Sequence, residues 1–311
     1  MRANPLGYTF SYLLSDSRTL IDTGIPSWDA YASLDRQLGE VGIKATGIER
    51  VVLTHLHNDH VGLVNYLRER STVDILAHRV AIERQQEQTR VYRELYRATS
   101  QELQFMGGGA FQQFLGRFER AFSREDAEPL RIDKPLEDGQ QLELGQRKLR
   151  VIWTPGHAVE HICLYDADRR TFFSGDHVLP KITSHVSLHT WEERDPLGDY
   201  IASLEKVRDL PVDIVLPGHE RNFTDLAGRV DQLKAHHRAR LEEVKQALKA
   251  GRNTVFDVAG AIHWDSRPWV IMDFWTKRMA ATETYAHLIY LRNKGEVSET
   301  KVEGVLTFGL V

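Results

Sequence analysis

Residues 50–60 read RVVLTHLHNDH, an apolar run that stops in three histidines and an aspartate packed into 54–60. Val51, Val52 and Leu53 in succession describe a strand covered on both faces, not one that alternates between core and water. Upstream, SWDAYASLDRQLGEVG (27–42) is spaced as a helix, and YTFSYLL (8–14), the polar turn SDSR (15–18) and TLIDTG (19–24) give a hairpin signal. Strand, helix and strand in that order predict α/β layering. Downstream, VGLVNYLRER (61–70) returns to helical spacing and VDILAH (73–78) to a buried strand.

The rhythm then changes. From about 79 to 130 the chain is helix-prone and rich in Arg, Gln and Glu, broken into two pieces by MGGGA (106–110). The second piece carries Phe111, Phe114, Leu115, Phe118 and Phe122 on one helical face, an expected packing stripe. Strand-like runs resume in QLELGQRKLRVIWTPGH (141–157), HICLYDADRRTFFSGDHVL (161–179) and VDIVLPGHE (212–220), so the helical stretch reads as an insertion. Beyond about 228 the chain is mostly helical until a hairpin pattern, EVSETKVEGVLTFGLV, closes it at 296–311. The expected organisation is a catalytic domain over 1–227 with its insertion at about 79–130, then a small helical domain over 228–311.

The 40 Lys and Arg against 44 Asp and Glu leave a net charge of -4, so long-range electrostatics single out no polyanionic partner. One cysteine, Cys163, excludes an internal disulfide and makes the cytoplasm the expected compartment. The N-terminus lacks a signal-like apolar stretch and no run approaches about 18 apolar residues, so neither secretion nor membrane insertion is expected.

A turn of the form H-x-H-x-D-H gathers imidazoles and a carboxylate at a strand end, a donor set suited to borderline-soft divalent ions such as zinc. His55 and His57, two apart, can be aimed at one ion while Asp59 and His60 turn toward a neighbour. Four residues cannot complete two coordination shells. Three other apolar runs end in the same manner: TPGH at His157, FSGD at Asp176 and LPGH at His219, each with a glycine immediately before the candidate ligand, where a tight turn is needed.

The ordered set IDTG (21–24), THLHNDHVG (54–62), TPGHAVEHICLY (154–165), FSGDHVL (173–179) and LPGHE (216–220) resembles the metallo-β-lactamase superfamily, most of all the branch that holds glyoxalase II and lactonases. The resemblance spans roughly 8 to 225 apart from the insertion. It implies an αββα sandwich, two mixed sheets face to face with helices outside, and a metal site at one edge. It further implies that His55, His57 and His157 hold one ion, that Asp59, His60 and His219 hold a second, and that Asp176 bridges them, with two zinc ions expected and iron or manganese as alternatives. Asp22 matches an aspartate that orients the histidine loop. The implied chemistry is hydrolysis of a small-molecule, ester-like substrate, a thioester or lactone, by a hydroxide between the two ions that Asp59 both helps to hold and orients. An aspartate at 176, where some true β-lactamases use cysteine, points away from that subclass. Three other activities share parts of the motif set: a metal-dependent endoribonuclease or phosphodiesterase, a mononuclear iron enzyme of the persulfide dioxygenase type, and a non-catalytic metal-dependent sensor.

Outside the ligands, His185 and His189 in KITSHVSLHTW are candidate substrate contacts. His161 and His177 are expected to be structural, and His236 and His237 to lie solvated on a charged helix. Cys163, inside an apolar strand, is expected to be a buried core thiol. Arg90, Arg93 and Arg97, with Tyr92 and Tyr96 nearby, are expected to form a solvated helix face. The C-terminal segment resembles a winged-helix-like domain. Its 13 Lys and Arg against 10 Asp and Glu over 228–311 are interspersed, so it is expected to cap the catalytic domain or make a homodimer contact and not to bind nucleic acid.

Overall fold

A computed structural model describes residues 8–85, 95–111, 130–265 and 267–311, the side chains of 95–97 and 111 excepted. These residues form two compact units. The first comprises residues up to 85, 130–184 and 202–231; the second holds the described residues 95–111, 185–201 and 232–311.

In the first unit, strands β1 (Tyr12–Leu14), β2 (Thr19–Ile21), β3 (Arg50–Val52), β4 (Asp74–His78) and β5 (Lys134–Leu136) lie side by side in chain order. β1 is antiparallel to β2, and the rest run parallel. A second sheet places β10 (Ile214–Pro217), β9 (Thr171–Gly175), β8 (Ile162–Asp166), β7 (Arg147–Trp153) and β6 (Gln141–Leu144) in that order. β10 is parallel to β9 and the remaining pairs are antiparallel. Helices α1 (Trp28–Glu40), α2 (Asn58–Val61) and α3 (Val64–Arg68) accompany the first sheet. The side chain of Ser27 accepts the Ala30 amide and so starts α1.

The apolar runs divide their residues between two cores. Leu20, Val51, Leu53, Ile75 and Ala77 pack with Leu38, Leu63, Val64 and Leu67 of the helical layer. Their chain neighbours Ile21, Val52 and Leu76 face the other way, against Leu149, Val151, Ile162, Leu164 and Phe173 of the second sheet. Strand residues therefore alternate between two buried faces, which is why the sequence shows unbroken hydrophobic runs there. This is the αββα sandwich of the metallo-β-lactamase fold.

Two strand expectations shorten. Only Tyr12–Leu14 of 8–14 joins the sheet, because Thr9 bridges His219 and the Phe10 amide donates to the Gly218 carbonyl. β3 ends at Val52, since the Thr54 amide donates to the Asp22 carboxylate instead of to a neighbouring strand.

The second unit contains α4 (Leu95–Phe105), which ends just before the MGGGA run. The arginines and tyrosines at 90, 92 and 93 and the stripe residues Phe114, Leu115, Phe118 and Phe122 lie outside the described residues, as do the side chains of Tyr96, Arg97 and Phe111. Helix α5 (Pro196–Arg208) precedes β10 in the chain. After it come α6 (Leu226–Lys249), α7 (Val255–Ala261), α8 (Phe274–Asn293) and the antiparallel hairpin β11 (Val297–Val302) and β12 (Val305–Leu310). His237 is buried, contrary to the expectation of a solvated histidine: it sits on the inward stripe of α6 with Leu233, Leu241 and Val244 and shares a 3.2 Å hydrogen bond with His287. No helix among the described residues is long and apolar enough to cross a membrane.

Candidate metal centre

The strands that carry the candidate ligands end at one edge of the sandwich. Past β3 the chain leaves the sheet at Thr54, presents His55 and His57, and enters the short α2 with Asp59 and His60. Past β7, β9 and β10 come His157, Asp176 and His219. The seven residues assemble into three overlapping groups: His55, His57 and His157; His55, His60 and Asp176; and Asp59, His60 and His219. Within each, the candidate ligand atoms lie within 4.8 Å of one another.

In the first group, His55 Nε2 and His157 Nε2 each stand 3.0 Å from His57 Nδ1. Nitrogens at about 2.0–2.1 Å from a tetrahedral zinc lie about 3.3–3.4 Å apart, so two pairs near this spacing, with the third pair within 4.8 Å, fit one face of such a shell. In the other half, Asp59 Oδ2 is 3.2 Å from His219 Nε2 and 4.0 Å from His60 Nε2. Asp176 lies between the halves, with Oδ1 3.4 Å from His60 Nε2, and Oδ2 3.3 Å from His219 Nε2 and 3.7 Å from His157 Nε2. His60 Nε2, His219 Nε2 and Asp176 Oδ1 are buried and have no hydrogen-bond partner among the described residues. Buried polar atoms are nearly always satisfied, so three left without a partner within overlapping candidate groups fit bound cations. Gly218 leaves room for Asp176 and His60: a Cβ there would stand 2.4 Å from Asp176 Oδ1 and 2.8 Å from His60 Cε1.

The candidate ligands are held from behind. Asp22 has a left-handed backbone (φ 57°), and from it the carboxylate accepts the Thr54 amide at 2.8 Å, the Thr54 hydroxyl at 2.7 Å and His60 Nδ1–H at 2.8 Å. The last bond fixes the tautomer that leaves His60 Nε2 as a lone-pair donor. His219 Nδ1 donates to the Tyr8 carbonyl at 3.0 Å, with the same effect. Glu160 Oε1 accepts the Leu56 amide at 3.2 Å and so pins the loop between His55 and His57.

Electrostatics separate the two halves. Burial, reinforced by the neighbouring rings of His60, His57 and His157, holds His55 well below the ordinary histidine value. Burial also disfavours the charged form of His60, but the carboxylates of Asp176 and Asp22 outweigh it and raise its pKa well above normal. His219, likewise opposed by burial, is pushed up to about 10 by Asp176 and Asp59. Burial opposes the ionised form of Asp176, yet His60 and His219 hold its carboxyl well below the usual range. An ion that enters between Asp59, His60 and His219 therefore displaces protons, as deprotonated ligands require.

The candidate substrate histidines stand in the second unit. His185 Nδ1 is 3.0 Å from Glu283 Oε2, and His189 Nδ1 is 2.7 Å from Glu102 Oε1. His189 also stacks flat on Trp191, with ring centroids 4.5 Å apart. Glu102 is fully buried and paired with Arg278 at 2.6 Å. Neither glutamate was marked by the sequence, because each is separated from its histidine by more than 80 residues and no spacing rule connects them. Cys163 is the buried thiol expected, its pKa pushed up to about 12 by burial. His161 and His177 are fully buried and belong to none of the three ligand groups.

Residues 4–219 match the metallo-β-lactamase superfamily. The probable metallo-hydrolase YqjP of Bacillus subtilis is 28% identical over 269 residues, 81% of this chain and 80% of its own length. The β-lactamase-like protein 2 homolog of Caenorhabditis elegans is 26% identical over 266 residues, 85% and 73% of the two chains. Among solved structures, the metallo-β-lactamase family protein TTHA1429 of Thermus thermophilus is 29% identical with a TM-score of 0.76, covering 99% of this chain and 95% of that one. A β-lactamase domain protein from Burkholderia ambifaria is 28% identical with a TM-score of 0.79, covering 94% and 83%. With the family match spanning most of the chain and every motif position carrying a metal-competent side chain, this protein belongs to the metallo-β-lactamase superfamily.

Proposed function

We propose that the protein is a dinuclear metal-dependent hydrolase, with zinc as its ion, that cleaves a small ester-like substrate, a thioester or lactone. The observation that carries this is the paired ligand arrangement: a three-histidine group, an Asp59–His60–His219 group, and Asp176 within 3.7 Å of members of both. When bound, a pair of divalent ions supplies Lewis acidity and brings the pKa of a bound water toward about 7.

The chain's own residues do the rest. His55, His57 and His157 offer three ring nitrogens, and Asp176, His60 and His219 offer buried donors already aimed. Asp59 is the more exposed of the two carboxylates, its side chain 24% accessible against 8% for Asp176, so of the pair it is the one that can also accept a proton or hydrogen bond from solvent at the mouth of the site. Asp22 and the Tyr8 carbonyl keep the rings of His60 and His219 from turning. We assign substrate contact to His185 and His189, because a carboxylate at Nδ1 holds each ring in one orientation, the pre-set geometry that recognition of a polar substrate group needs.

Metal content of the purified protein, together with a panel of thioesters, lactones, phosphodiesters and single-stranded RNA, tests the proposal. Two zinc ions per chain and turnover of a thioester or lactone that disappears in His57→Ala are expected. One iron per chain, or RNA cleavage with no ester turnover, refutes it.

A further inference from the structure

We propose that His161 is a positioning residue for Asp176: a neutral imidazole that receives the main-chain N–H of residue 176 and thereby sets the carboxylate between the two ligand groups. The inference rests on the metal-dependent function above and extends it to a histidine outside the ligand set.

His161 is fully buried, one residue before β8, and enters none of the three ligand groups. Its Nε2 lies 3.1 Å from the Asp176 nitrogen, which donates to it. A ring nitrogen that accepts from an amide cannot itself carry a proton. The proton is therefore on Nδ1, which donates to Thr154 Oγ1 at 2.8 Å. Thr154 has 3.4 Å contacts with the His161 carbonyl and the Cys163 sulfur for its own hydroxyl hydrogen, so the direction of the chain of bonds is consistent throughout.

The backbone at 175 is built around this ring. Gly175 has φ +49°, and a Cβ there would stand 2.7 Å from His161 Nε2 and 3.0 Å from Thr54 Cβ. The imidazole thus occupies the space a side chain at 175 would take. On its other side, the Gly175 carbonyl accepts the Gly218 amide at 2.8 Å. The peptide that leads into Asp176 is held at one end by His161 and at the other by the strand that delivers His219. What this fixes is the direction of a carboxylate whose Oδ1 faces His60 while its Oδ2 faces both His219 and His157. A small rotation of that peptide would move both oxygens together.

The test uses the full chain stripped by a chelator and then titrated with zinc against a chromophoric competitor. His161→Leu keeps bulk but removes the acceptor, and zinc binding is expected to weaken about 10–100-fold, as when a hydrogen-bond partner of a metal ligand is lost. His161→Gln, whose Oε1 can stand near the Nε2 position, is expected to remain within about threefold of the parent. Thr154→Val leaves the ring but frees its tautomer, and a loss of roughly tenfold is expected. Parental affinity in His161→Leu, or an equal loss in His161→Gln, overturns the assignment, since volume and not the acceptor would then be at issue. If His161→Leu does not fold, Thr154→Val decides: weakened binding supports the role and parental binding overturns it. A parent chain that binds no divalent ion removes the metal-dependent function itself, whereas two bound ions with unchanged variants remove only the role of His161.

Discussion

Asp22→Asn is the sharpest perturbation of the site, because it changes one hydrogen-bond role and almost no volume. Asparagine tolerates the left-handed backbone at this position as well as aspartate does, so φ 57° adds no strain. The carboxylate accepts three bonds, from the Thr54 amide, the Thr54 hydroxyl and His60 Nδ1–H. An amide oxygen can keep the first, and the hydroxyl can reverse its role toward the new NH2. His60 cannot do the same without harm: to accept from the amide through Nδ1 it must move its proton to Nε2, the atom that faces Asp176 and Asp59. Losing a hydrogen bond to a charged acceptor weakens the arrangement by about 1.5–3 kcal/mol. That range corresponds to roughly 10–150-fold in an equilibrium constant, and it overlaps the 10–100-fold usual for removing a partner of a metal-bound histidine. Zinc titration of the stripped protein should therefore show one site kept, at His55, His57 and His157, and the other weakened by about two decades at most. Two sites of parental affinity in Asp22→Asn would refute the argument, and so would equal loss at both.

Gly218→Ala puts a methyl group 2.4 Å from Asp176 Oδ1, so zinc stoichiometry and turnover should both collapse while far-ultraviolet circular dichroism stays near that of the parent. His185→Ala removes a proposed substrate contact, and on the thioester or lactone the protein turns over, KM should rise about tenfold with kcat less affected; unchanged KM would remove His185 from the contact set. Burial opposes ionisation of Glu283, yet the His185 hydrogen bond and charge, with His287 and His237, lower its pKa to about 2 from 4.5. A depressed carboxylate stabilises the fold above its unfolded pKa and loses that contribution as pH falls. The urea-midpoint advantage of the parent over Glu283→Gln should accordingly represent about 3 kcal/mol near pH 6 and shrink by about 1 kcal/mol at pH 3.5. Chelator stripping should lower the melting temperature and zinc should restore it, since an ion at about 1,000 times its dissociation constant contributes roughly 4 kcal/mol.

The parts of this molecule that the sequence made legible are those governed by short-range rules. The runs VVL and DILA announce strands buried on both faces, and the helix over 27–42 carries its own cap at Ser27. All seven candidate ligands stand out because chemistry places imidazole and carboxylate next to glycine at strand ends. What escaped is long-range. Glu102 and Glu283 are ordinary helix glutamates in the sequence, and only folding brings them to His189 and His185. Glu160 and Tyr8 support the site through a side chain and a carbonyl that no spacing connects to the histidines they steady. His237 looked solvated because charged neighbours mask an inward stripe on α6 whose apolar members lie at helical spacing.

The alternation of β2, β3 and β4 between two buried faces has a consequence for how the chain finds its native pairing. Where both faces of a strand are apolar, a slip of one residue exchanges one greasy side chain for another, and hydrophobicity discriminates only weakly against it. The same slip displaces whatever follows the strand by about 3.3 Å, more than the full length of a zinc–nitrogen bond. The histidines and aspartates at the strand ends thus work as a vernier on the sheet. Only the native alignment brings their marks into coincidence, and metal capture rewards that alignment over its near-degenerate neighbours.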